Sequence, residues 1–378
     1  MKTILFFLES LAGGGAEKVL TDMVCNLDKS KYDITVCTVT DQGVYEKQVR
    51  SCCTYRSFLN MSDYYAGGIK KLLFRIKMKA IYTLPAKWIY KIYFRKKFDI
   101  EVAFIEGYAT KLIAASDHKD SKKIAWVHID MQQNPYADSY YKNIEEHQST
   151  YRKYNDIICV SEHVKQVFEE KYFSDSAVSV QYNPVNELAI RRMALEPCEI
   201  PLPDGLLLGT IGRLEHQKGY LRLLDCVYKL VIEEGQRLFL WIIGDGSQRD
   251  TLETYIEQHH LEQYVRLRGF QRNPYKYINQ CDAFICSSYA EGFSTAATES
   301  LLLGKPIFTV ECSGMKELFG DCECGAIVKN SDEDLLHMLR DIIENKYPIG
   351  DYAVNIRKRQ DAFKLSKRME ELEHIFDR

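Results

Sequence analysis

Along this chain, short and almost continuous apolar runs alternate with stretches in which apolar residues have helical spacing. Between the first two runs, for example, apolar residues recur every three or four positions from 16 to 27, as in an amphipathic helix. The runs themselves have the length and composition of buried parallel strands. They cover 3–8, 33–39, 100–105, 124–129, 156–161, 206–211, 238–243, 265–270, 281–286 and 305–310. This alternation predicts an α/β fold built on doubly wound parallel sheets.

Length and composition indicate a two-domain globular protein. The chain has 378 residues, of which 46% are hydrophobic and 27% charged, as in ordinary soluble domains. It contains neither a signal-peptide pattern nor eighteen consecutive apolar residues. The 12 cysteines are scattered and form no paired C-x-x-C motifs. We therefore expect reduced thiols and a cytoplasmic location.

The stretch 286–307 carries the strongest chemical signal. A helix is expected to begin near Ser294 and Thr295, which are hydroxyl residues of the N-cap type, and to end at Gly304. Its N-terminus would face the carboxyl edge of a parallel sheet, where free N–H groups favour phosphate. Glu291 and Glu299 lie eight positions apart around this helix start, and carboxylates suit the vicinal hydroxyls of sugars and riboses.

These residues resemble the E-x7-E segment of glycosyltransferase family 4, whose members are retaining enzymes of the GT-B fold. The resemblance implies two Rossmann-like domains that face each other across a cleft. It also implies that Glu291 holds the transferred sugar, that Glu299 holds the ribose, and that Ser294 to Ala296 bind the diphosphate. Gly292, Phe293 and Thr295 complete this donor-binding frame. Ser294 stands where a proline is common and Ser300 where an alanine is common.

Two cations lie on a loop that leads from a predicted strand into a helix. Arg213 and Lys218 could neutralise the developing charge of a diphosphate leaving group without a metal ion. Their frame, Gly212-Arg-Leu-x-x-x-Lys-Gly219, also resembles family 4. The resemblance further places Gly244, Gly246, Gly269 and Phe270 against the base and ribose of the nucleotide. For the glycines, a plain tight turn remains the alternative.

A glycine-rich turn opens the first predicted helix. Gly14 and Gly15 would allow backbone N–H groups to approach an anion or sugar, and family 4 places this loop against the donor's diphosphate and sugar. The turn does not fit G-x-G-x-x-G, which disfavours a dinucleotide oxidoreductase. His128 ends a predicted strand, and the resemblance gives it an active-site role. A hydrogen-bonded structural histidine is the alternative.

The segment 69–98 has ten Lys or Arg residues and no Asp or Glu. A basic amphipathic segment with interleaved aromatic residues suits an anionic membrane surface or a membrane-bound acceptor. Surface helices packed on the sheet, with solvated lysines, are the alternative, and RNA binding is a weaker one because no nucleic-acid module is present. The residues assigned to membrane or acceptor contact are Lys70, Lys71, Arg75, Lys77, Trp88, Lys91 and Arg95.

The sequence thus predicts an acceptor-binding domain at 1–185, a donor-binding domain at 186–354 and a helix at 355–378 that returns to the first domain. The expected activity is a retaining transfer from a nucleotide diphosphate sugar, UDP-sugar first and GDP-sugar next. The acceptor would be a glycan on a lipid carrier, in capsule or other polysaccharide synthesis at the inner face of the cell membrane. We expect no metal, no cofactor and no nucleic-acid partner. A sugar-nucleotide epimerase or hydrolase, or a silent partner of a transferase, remains open.

Overall fold

The computed structural model describes residues 1–378 as two compact units. Unit 1 comprises Met1–Pro184 and Arg368–Arg378, and unit 2 comprises Val185–Lys367. The predicted boundary at 185/186 differs from this division by one residue. The returning segment is shorter than expected, because residues 355–367 belong to unit 2 rather than to the first domain.

Unit 1 is built on a seven-stranded sheet in the order β3-β2-β1-β4-β5-β6-β7, and all neighbouring strands are parallel. Its strands are β1 Lys2–Leu8, β2 Tyr32–Thr40, β3 Thr54–Leu59, β4 Ile100–Ala103, β5 Lys122–Val127, β6 Asp156–Cys159 and β7 Val178–Val180. Its helices are α1 Gly15–Asn26, α2 Glu46–Cys52, α3 Met61–Tyr65, α4 Gly68–Thr83, α5 Ala86–Tyr93, α6 Tyr108–Ile113, α7 Ile144–Tyr151 and α8 Glu162–Lys171, with a 3-10 helix at Tyr136–Tyr140.

Unit 2 has a six-stranded parallel sheet in the order β10-β9-β8-β11-β12-β13. Its strands are β8 Leu206–Ile211, β9 Leu238–Ile243, β10 Val265–Leu267, β11 Ala283–Cys286, β12 Ile307–Val310 and β13 Gly325–Val328. Its helices are α9 Glu187–Ala194, α10 Tyr220–Tyr228, α11 Arg249–Gln258, α12 Tyr275–Ile278, α13 Thr295–Leu302, α14 Met315–Phe319, α15 Asp332–Ile343 and α16 Ala353–Gln360. A π-helical turn follows α10 at Lys229–Glu233, and 3-10 helices lie at His216–Lys218, Ile349–Tyr352 and Asp361–Phe363.

The last helix, α17 Leu365–Asp377, belongs to unit 1 from Arg368 onward. The Lys2 ammonium donates to the Phe376 carbonyl at 3.0 Å, and that of Lys122 donates to the Ile375 carbonyl at 2.6 Å. The Phe376 ring packs edge-on against Phe6 of β1. Apolar contacts and helix C-terminal carbonyls therefore fix this helix beside β1 and β5.

In each sheet the strand order reverses beside the first strand of the unit, at β1/β4 and at β8/β11. Ligands of open α/β sheets bind at the carboxyl ends of the strands at such switch points. The residues that follow these strands are therefore where a site is expected in each unit.

The thiols differ from the expectation in one respect. Cys25, in the last turn of α1, forms a disulfide with Cys52 at the end of α2, and the other ten cysteines are free. The prediction that all thiols are reduced is therefore wrong for this pair. None of the helices combines the length and apolar character that a membrane crossing requires.

Candidate functional site

An ion pair joins the two loops at the switch point of unit 2. Lys218 lies on the loop after β8, Glu291 lies on the loop after β11, and their Nζ and Oε1 atoms are 2.6 Å apart. Both side chains are largely withdrawn from solvent, with 22% and 9% exposed. Burial alone would lower the pKa of Lys218, but the Glu291 carboxylate outweighs it and holds that pKa above its ordinary value. Lys218 therefore stays a cation.

Ser288 is a third member of this cluster that the sequence did not single out. Its buried hydroxyl donates to the same Glu291 Oε1 atom at 2.6 Å. Two donors on Oε1 therefore fix the orientation of the Glu291 carboxylate. The signal was the position of Ser288 just beyond a buried strand, three residues before Glu291.

Side chains that donate to backbone carbonyls hold the two loops together. The Gln217 side-chain amide donates to the Ala290 carbonyl at 2.7 Å, and the Ser287 hydroxyl donates to the Lys218 carbonyl at 3.0 Å. The buried Arg222 guanidinium donates to the Ser287 and Ser288 carbonyls. Gly219 has a φ of 63°, and a Cβ there would lie 2.1 Å from the Ser287 carbonyl oxygen. The close approach of the loops therefore requires glycine at this position.

Arg213 is not drawn into the cluster. Its side chain is exposed. Hydrogen bonds from Ser247 lower the pKa of the neighbouring Glu215, and the charge of Arg213 adds a smaller effect in the same direction. Lys218 and Glu291 pair with each other and with Ser288 instead. The diphosphate role of Arg213 therefore stays a prediction.

The glycines of the neighbouring turn pack against this loop. A Cβ on Gly244, whose φ is 151°, would lie 1.9 Å from the Gly212 carbonyl oxygen, and one on Gly246 would lie 2.6 Å from that of Leu214. At Gly244 and Gly246, backbone packing alone therefore requires glycine, which agrees with the tight-turn alternative given for these positions. Gly269, at φ 64°, accepts a hydrogen bond from the Gly244 N–H, and the Phe270 ring that follows is 45% exposed.

The helix predicted near Ser294 and Thr295 is present as α13. Ser294 is its N-cap, and the Ser294 hydroxyl accepts from the Ala297 N–H at 3.3 Å. Ahead of it, Gly292 and Phe293 are buried, and the Phe293 ring lies 5.8 Å from that of Phe363. The helix N-terminus thus follows the Glu291 loop directly, with its first N–H groups at the carboxyl edge of the sheet.

Glu299 lies in the second turn of α13 and is 4% exposed. Its Oε1 atom accepts from the Tyr275 hydroxyl at 2.9 Å. Tyr275 begins α12, twenty-four residues earlier in the chain, so no local sequence pattern could have linked the two. The hydroxyl orients the carboxylate, as Ser288 orients Glu291.

In unit 1, Gly14 is the N-cap of α1 and Gly15 its first residue. The Glu17 carboxylate folds back over this turn, since a Cβ on Gly14 would lie 2.3 Å from Glu17 Oε2. A side chain on Gly14 would therefore displace Glu17. The donor contacts expected of these two glycines remain predictions.

His128 follows β5, and its backbone N–H donates to Oε1 of the buried Glu106. Glu106 Oε1 also accepts from the Ile129 N–H at 3.0 Å. The His128 ring lies 5.0 Å from that of Phe104, and its Nε2 atom has no hydrogen-bond partner in unit 1 or elsewhere in the chain. Burial lowers the pKa of His128 to about 4. The ring is therefore neutral at pH 7, with an unused nitrogen.

The basic segment forms α4 and α5, and α4 buries little of its apolar side. Ile69, Leu72, Leu73 and Ile76 are 77%, 58%, 49% and 55% exposed, whereas Phe74 on the opposite side is buried. Phe74 and Ile81 of α4 and Ile89 and Tyr90 of α5 are nevertheless buried, so the alternative of surface helices packed on the sheet, with solvated lysines, stays open.

The aromatic and basic residues assigned to membrane contact are mostly accessible. Trp88 of α5 is 60% exposed, and Lys91 forms a surface ion pair with Asp117 at 3.0 Å. Lys71 lies over the Tyr64 ring at 4.6 Å. The remaining four side chains, Lys70, Arg75, Lys77 and Arg95, are exposed.

Two family models match the chain, one on each part. Residues 13–187 match the model described as Glycosyltransferase Family 4, and residues 200–362 match that of Glycosyl transferases group 1. Among solved structures, Anabaena Alr3699/HepE in complex with UDP and glucose is 16% identical, with a TM-score of 0.76 and full coverage of both chains. The lipopolysaccharide outer core galactosyltransferase WaaB is 20% identical, with a TM-score of 0.65 and 99% of each chain covered.

Curated relatives are bacterial and archaeal glycosyltransferases. The N-acetylgalactosamine-N,N'-diacetylbacillosaminyl-diphospho-undecaprenol 4-alpha-N-acetylgalactosaminyltransferase of Campylobacter jejuni is 33% identical over 192 residues, 50% of this chain and 51% of that protein. The lipopolysaccharide 1,6-galactosyltransferase of Salmonella typhimurium is 24% identical over 329 residues, 83% of this chain and 82% of that protein. The chain spans about half the length of the curated relatives that it matches first. Taken with the two family models, these matches show that the chain belongs to the glycosyltransferases of the GT-B fold, with a family 4 N-terminal part and a group 1 C-terminal part.

Proposed function

We propose that this protein is a retaining, metal-independent transferase that moves a sugar from a nucleotide diphosphate sugar to a glycan on a lipid carrier. UDP-sugar is the first expectation for the donor and GDP-sugar the next. The observation that carries the proposal is the Lys218–Glu291–Ser288 cluster, which lies at a sheet switch point directly before the N-terminus of α13. A permanent cation and a helix N-terminus suit a diphosphate, and an oriented carboxylate suits a sugar.

The donor would lie with its diphosphate between Lys218, Arg213 and the first N–H groups of α13. Glu291 Oε2 would accept from a hydroxyl of the transferred sugar, and Glu299 from the ribose. The bond from the anomeric carbon to the diphosphate breaks as the bond to the acceptor oxygen forms on the same face. The acceptor proton passes to the departing phosphate oxygen, so the protein needs no nucleophile. In unit 1, the neutral His128 ring, whose Nε2 atom has no hydrogen-bond partner, keeps the active-site role that the family resemblance gives it.

A lipid-linked acceptor would suit the surface of unit 1. The exposed apolar face of α4 and the lysines beside it have the chemistry of a helix that lies in an anionic interface. The Campylobacter jejuni relative is named for a glycan on diphospho-undecaprenol. We therefore place the protein at the inner face of the cell membrane, as a peripheral protein.

The donor half of the proposal is tested by calorimetry with UDP-, GDP- and ADP-sugars in the presence of EDTA. Wild-type protein is expected to bind one of these donors, and Lys218→Ala and Glu299→Ala are expected to abolish that binding. Lys229→Ala, which removes a partly exposed lysine paired with Asp225, is the matched control and should bind normally. Binding of no donor, or binding only when a divalent metal is added, would contradict the proposal. Donor consumption without acceptor would instead identify a hydrolase or epimerase.

The membrane half is tested by flotation with liposomes that contain anionic lipid. Each basic residue near such a surface contributes about 1 kcal/mol, so replacing four of them should weaken binding by up to about a thousandfold. The variant carries glutamine at Lys70, Lys71, Lys91 and Arg95. The control carries glutamine at four lysines of unit 2 whose side chains are 42–74% exposed, namely Lys229, Lys316, Lys346 and Lys364. Equal flotation of variant, control and wild type would refute membrane docking through α4 and α5.

A further inference from the structure

A group of tyrosines surrounds Glu9 at the carboxyl edge of the unit 1 sheet. Glu9 directly follows β1, Tyr136 and Tyr140 belong to the 3-10 helix after β5, and Tyr82 lies in the last turn of α4. We call these four residues the Glu9 cluster. None of them has a part in the donor chemistry described above, although they lie at the switch point β1/β4.

Glu9 is held by two phenols. Its Oε2 atom accepts from the Tyr82 hydroxyl at 2.9 Å and its Oε1 atom from the Tyr140 hydroxyl at 3.4 Å. Burial raises the pKa of Glu9 even though both hydrogen bonds act to lower it. A carboxylate can accept about four hydrogen bonds. Two phenols therefore fix the group and leave it able to accept from a ligand.

The rings are fixed as well. The Tyr82 and Tyr140 rings lie 4.5 Å and 6.3 Å from the ring of Tyr108, whose hydroxyl donates to the Ile81 carbonyl at 2.8 Å. Gly107 has a φ of 79°, and a Cβ there would lie 2.8 Å from the Tyr140 ring. The tyrosines thus pack against one another and against the backbone, with little freedom to move.

Two rings of the cluster still present a surface. Tyr82 is 38% exposed and Tyr136 is 41% exposed. The Tyr136 hydroxyl donates to Glu106 Oε2 at 3.2 Å, and the same carboxylate accepts from the backbone after β5, where His128 lies. The cluster is therefore connected through Glu106 to the histidine assigned to the reacting sugar.

Exposed aromatic faces beside a fixed carboxylate suit a neutral ring that carries hydroxyl groups. A pyranose has apolar C–H faces that pack on tyrosine and hydroxyls that donate to a carboxylate. A phosphate would be repelled by Glu9. Phosphate groups are therefore not the ligand that this arrangement selects.

We propose that the Glu9 cluster is the subsite for the acceptor's terminal sugar, with Glu9 accepting from its hydroxyls and Tyr82 and Tyr136 packing on its ring. The inference rests on the proposed function and adds to it the residues that recognise the acceptor. Tyr82 belongs to the same helix as the exposed apolar face of α4. One helix would therefore both contact the membrane and contribute to the sugar subsite.

Saturation-transfer NMR with methyl glycosides tests the subsite without any turnover. The panel consists of the methyl α- and β-glycosides of glucose, galactose, N-acetylglucosamine and N-acetylgalactosamine. At least one should bind wild-type protein, and Glu9→Gln and Tyr136→Ala should each weaken that binding at least tenfold. Glu145→Gln, at an exposed carboxylate in the first turn of α7, is the matched control and should bind as wild type does. Thermal melts confirm that each variant is folded.

The inference is overturned if no glycoside binds wild-type protein, or if Glu9→Gln and Tyr136→Ala both bind as tightly as the control. A donor titration of the same samples separates the two proposals. If the donor binds but no glycoside does, only the acceptor subsite is refuted. If a glycoside binds but no donor does, the transferase proposal is refuted and the sugar site remains. In transfer assays, Glu9→Gln should raise the acceptor KM at least tenfold and leave the donor KM unchanged.

Discussion

Replacing Ser288 with alanine should impair transfer without affecting nucleotide binding. The Ser288 hydroxyl is buried and donates at 2.6 Å to Glu291 Oε1, which also accepts from Lys218 at the same distance. A hydrogen bond to a charged group contributes about 1.5–3 kcal/mol. In the variant, Lys218 alone would orient the Glu291 carboxylate. That carboxylate would then be free to rotate, and its Oε2 atom would no longer face the sugar. We expect kcat/KM for the sugar nucleotide to fall about ten- to a hundredfold.

The assay compares Ser288→Ala with Thr254→Ala, which removes a hydroxyl from the exposed surface of α11. Initial rates give kcat/KM for the nucleotide sugar, and calorimetry gives the affinity for the free nucleoside diphosphate. The nucleoside diphosphate should bind both variants equally, because Glu291 is assigned to the sugar. If Ser288→Ala keeps kcat/KM within twofold of wild type, the hydroxyl does not position Glu291 for the reaction. Weakened binding of the free nucleoside diphosphate would show that the Ser288 hydroxyl supports the diphosphate site rather than the position of Glu291.

Three further predictions concern other contacts of the chain. Tyr275→Phe removes the hydroxyl that orients Glu299 and should weaken binding of the free nucleoside diphosphate about tenfold, measured by calorimetry, whereas Tyr277→Phe on the same helix should not. Reduction of the Cys25–Cys52 disulfide, which closes a separation of 27 residues, should lower the free energy of unfolding by about 3–4 kcal/mol in denaturant titrations, and added reductant should leave Cys25→Ser unchanged. His147 is buried and its pKa lies at about 4, so the unfolded chain binds more protons between pH 6.5 and 4 and stability falls as the pH drops through that range. Between pH 6.5 and 5 the loss due to His147 should be about 2 kcal/mol, and His147→Gln should remove it; equal slopes in both proteins would contradict the assignment.

The sequence predicted the central strands because they are buried on both faces. Runs such as Thr3–Leu8 are apolar at almost every position, and the predicted runs are inner strands of their sheets, except that 265–270 contains the edge strand β10. The missed strands, Thr54–Leu59, Val178–Val180 and Gly325–Val328, all lie at sheet edges. These three strands are partly exposed, so their apolar pattern is interrupted as it is in a loop.

The site was predictable where its chemistry lies in one short segment, and less so where it depends on tertiary contacts. Ser294 was expected to cap a helix from its local sequence, and it does. The partners of Glu9, by contrast, are 73 and 131 residues away along the chain, so no spacing rule could have linked them. The Cys25–Cys52 pairing was likewise missed, since scattered cysteines do not reveal their connectivity.

The most direct test of the central claim is to follow labelled sugar from nucleotide donors into lipid. Purified protein is incubated with radiolabelled UDP- or GDP-sugars, EDTA and membranes from cells that lack the protein, and organic-extractable label is counted. The account predicts that wild-type protein transfers label from one donor into the lipid fraction. It predicts that Lys218→Ala reduces this about a hundred- to a thousandfold. The account would be contradicted if, for every donor tested, the label stays in the nucleotide sugar or appears only as free sugar.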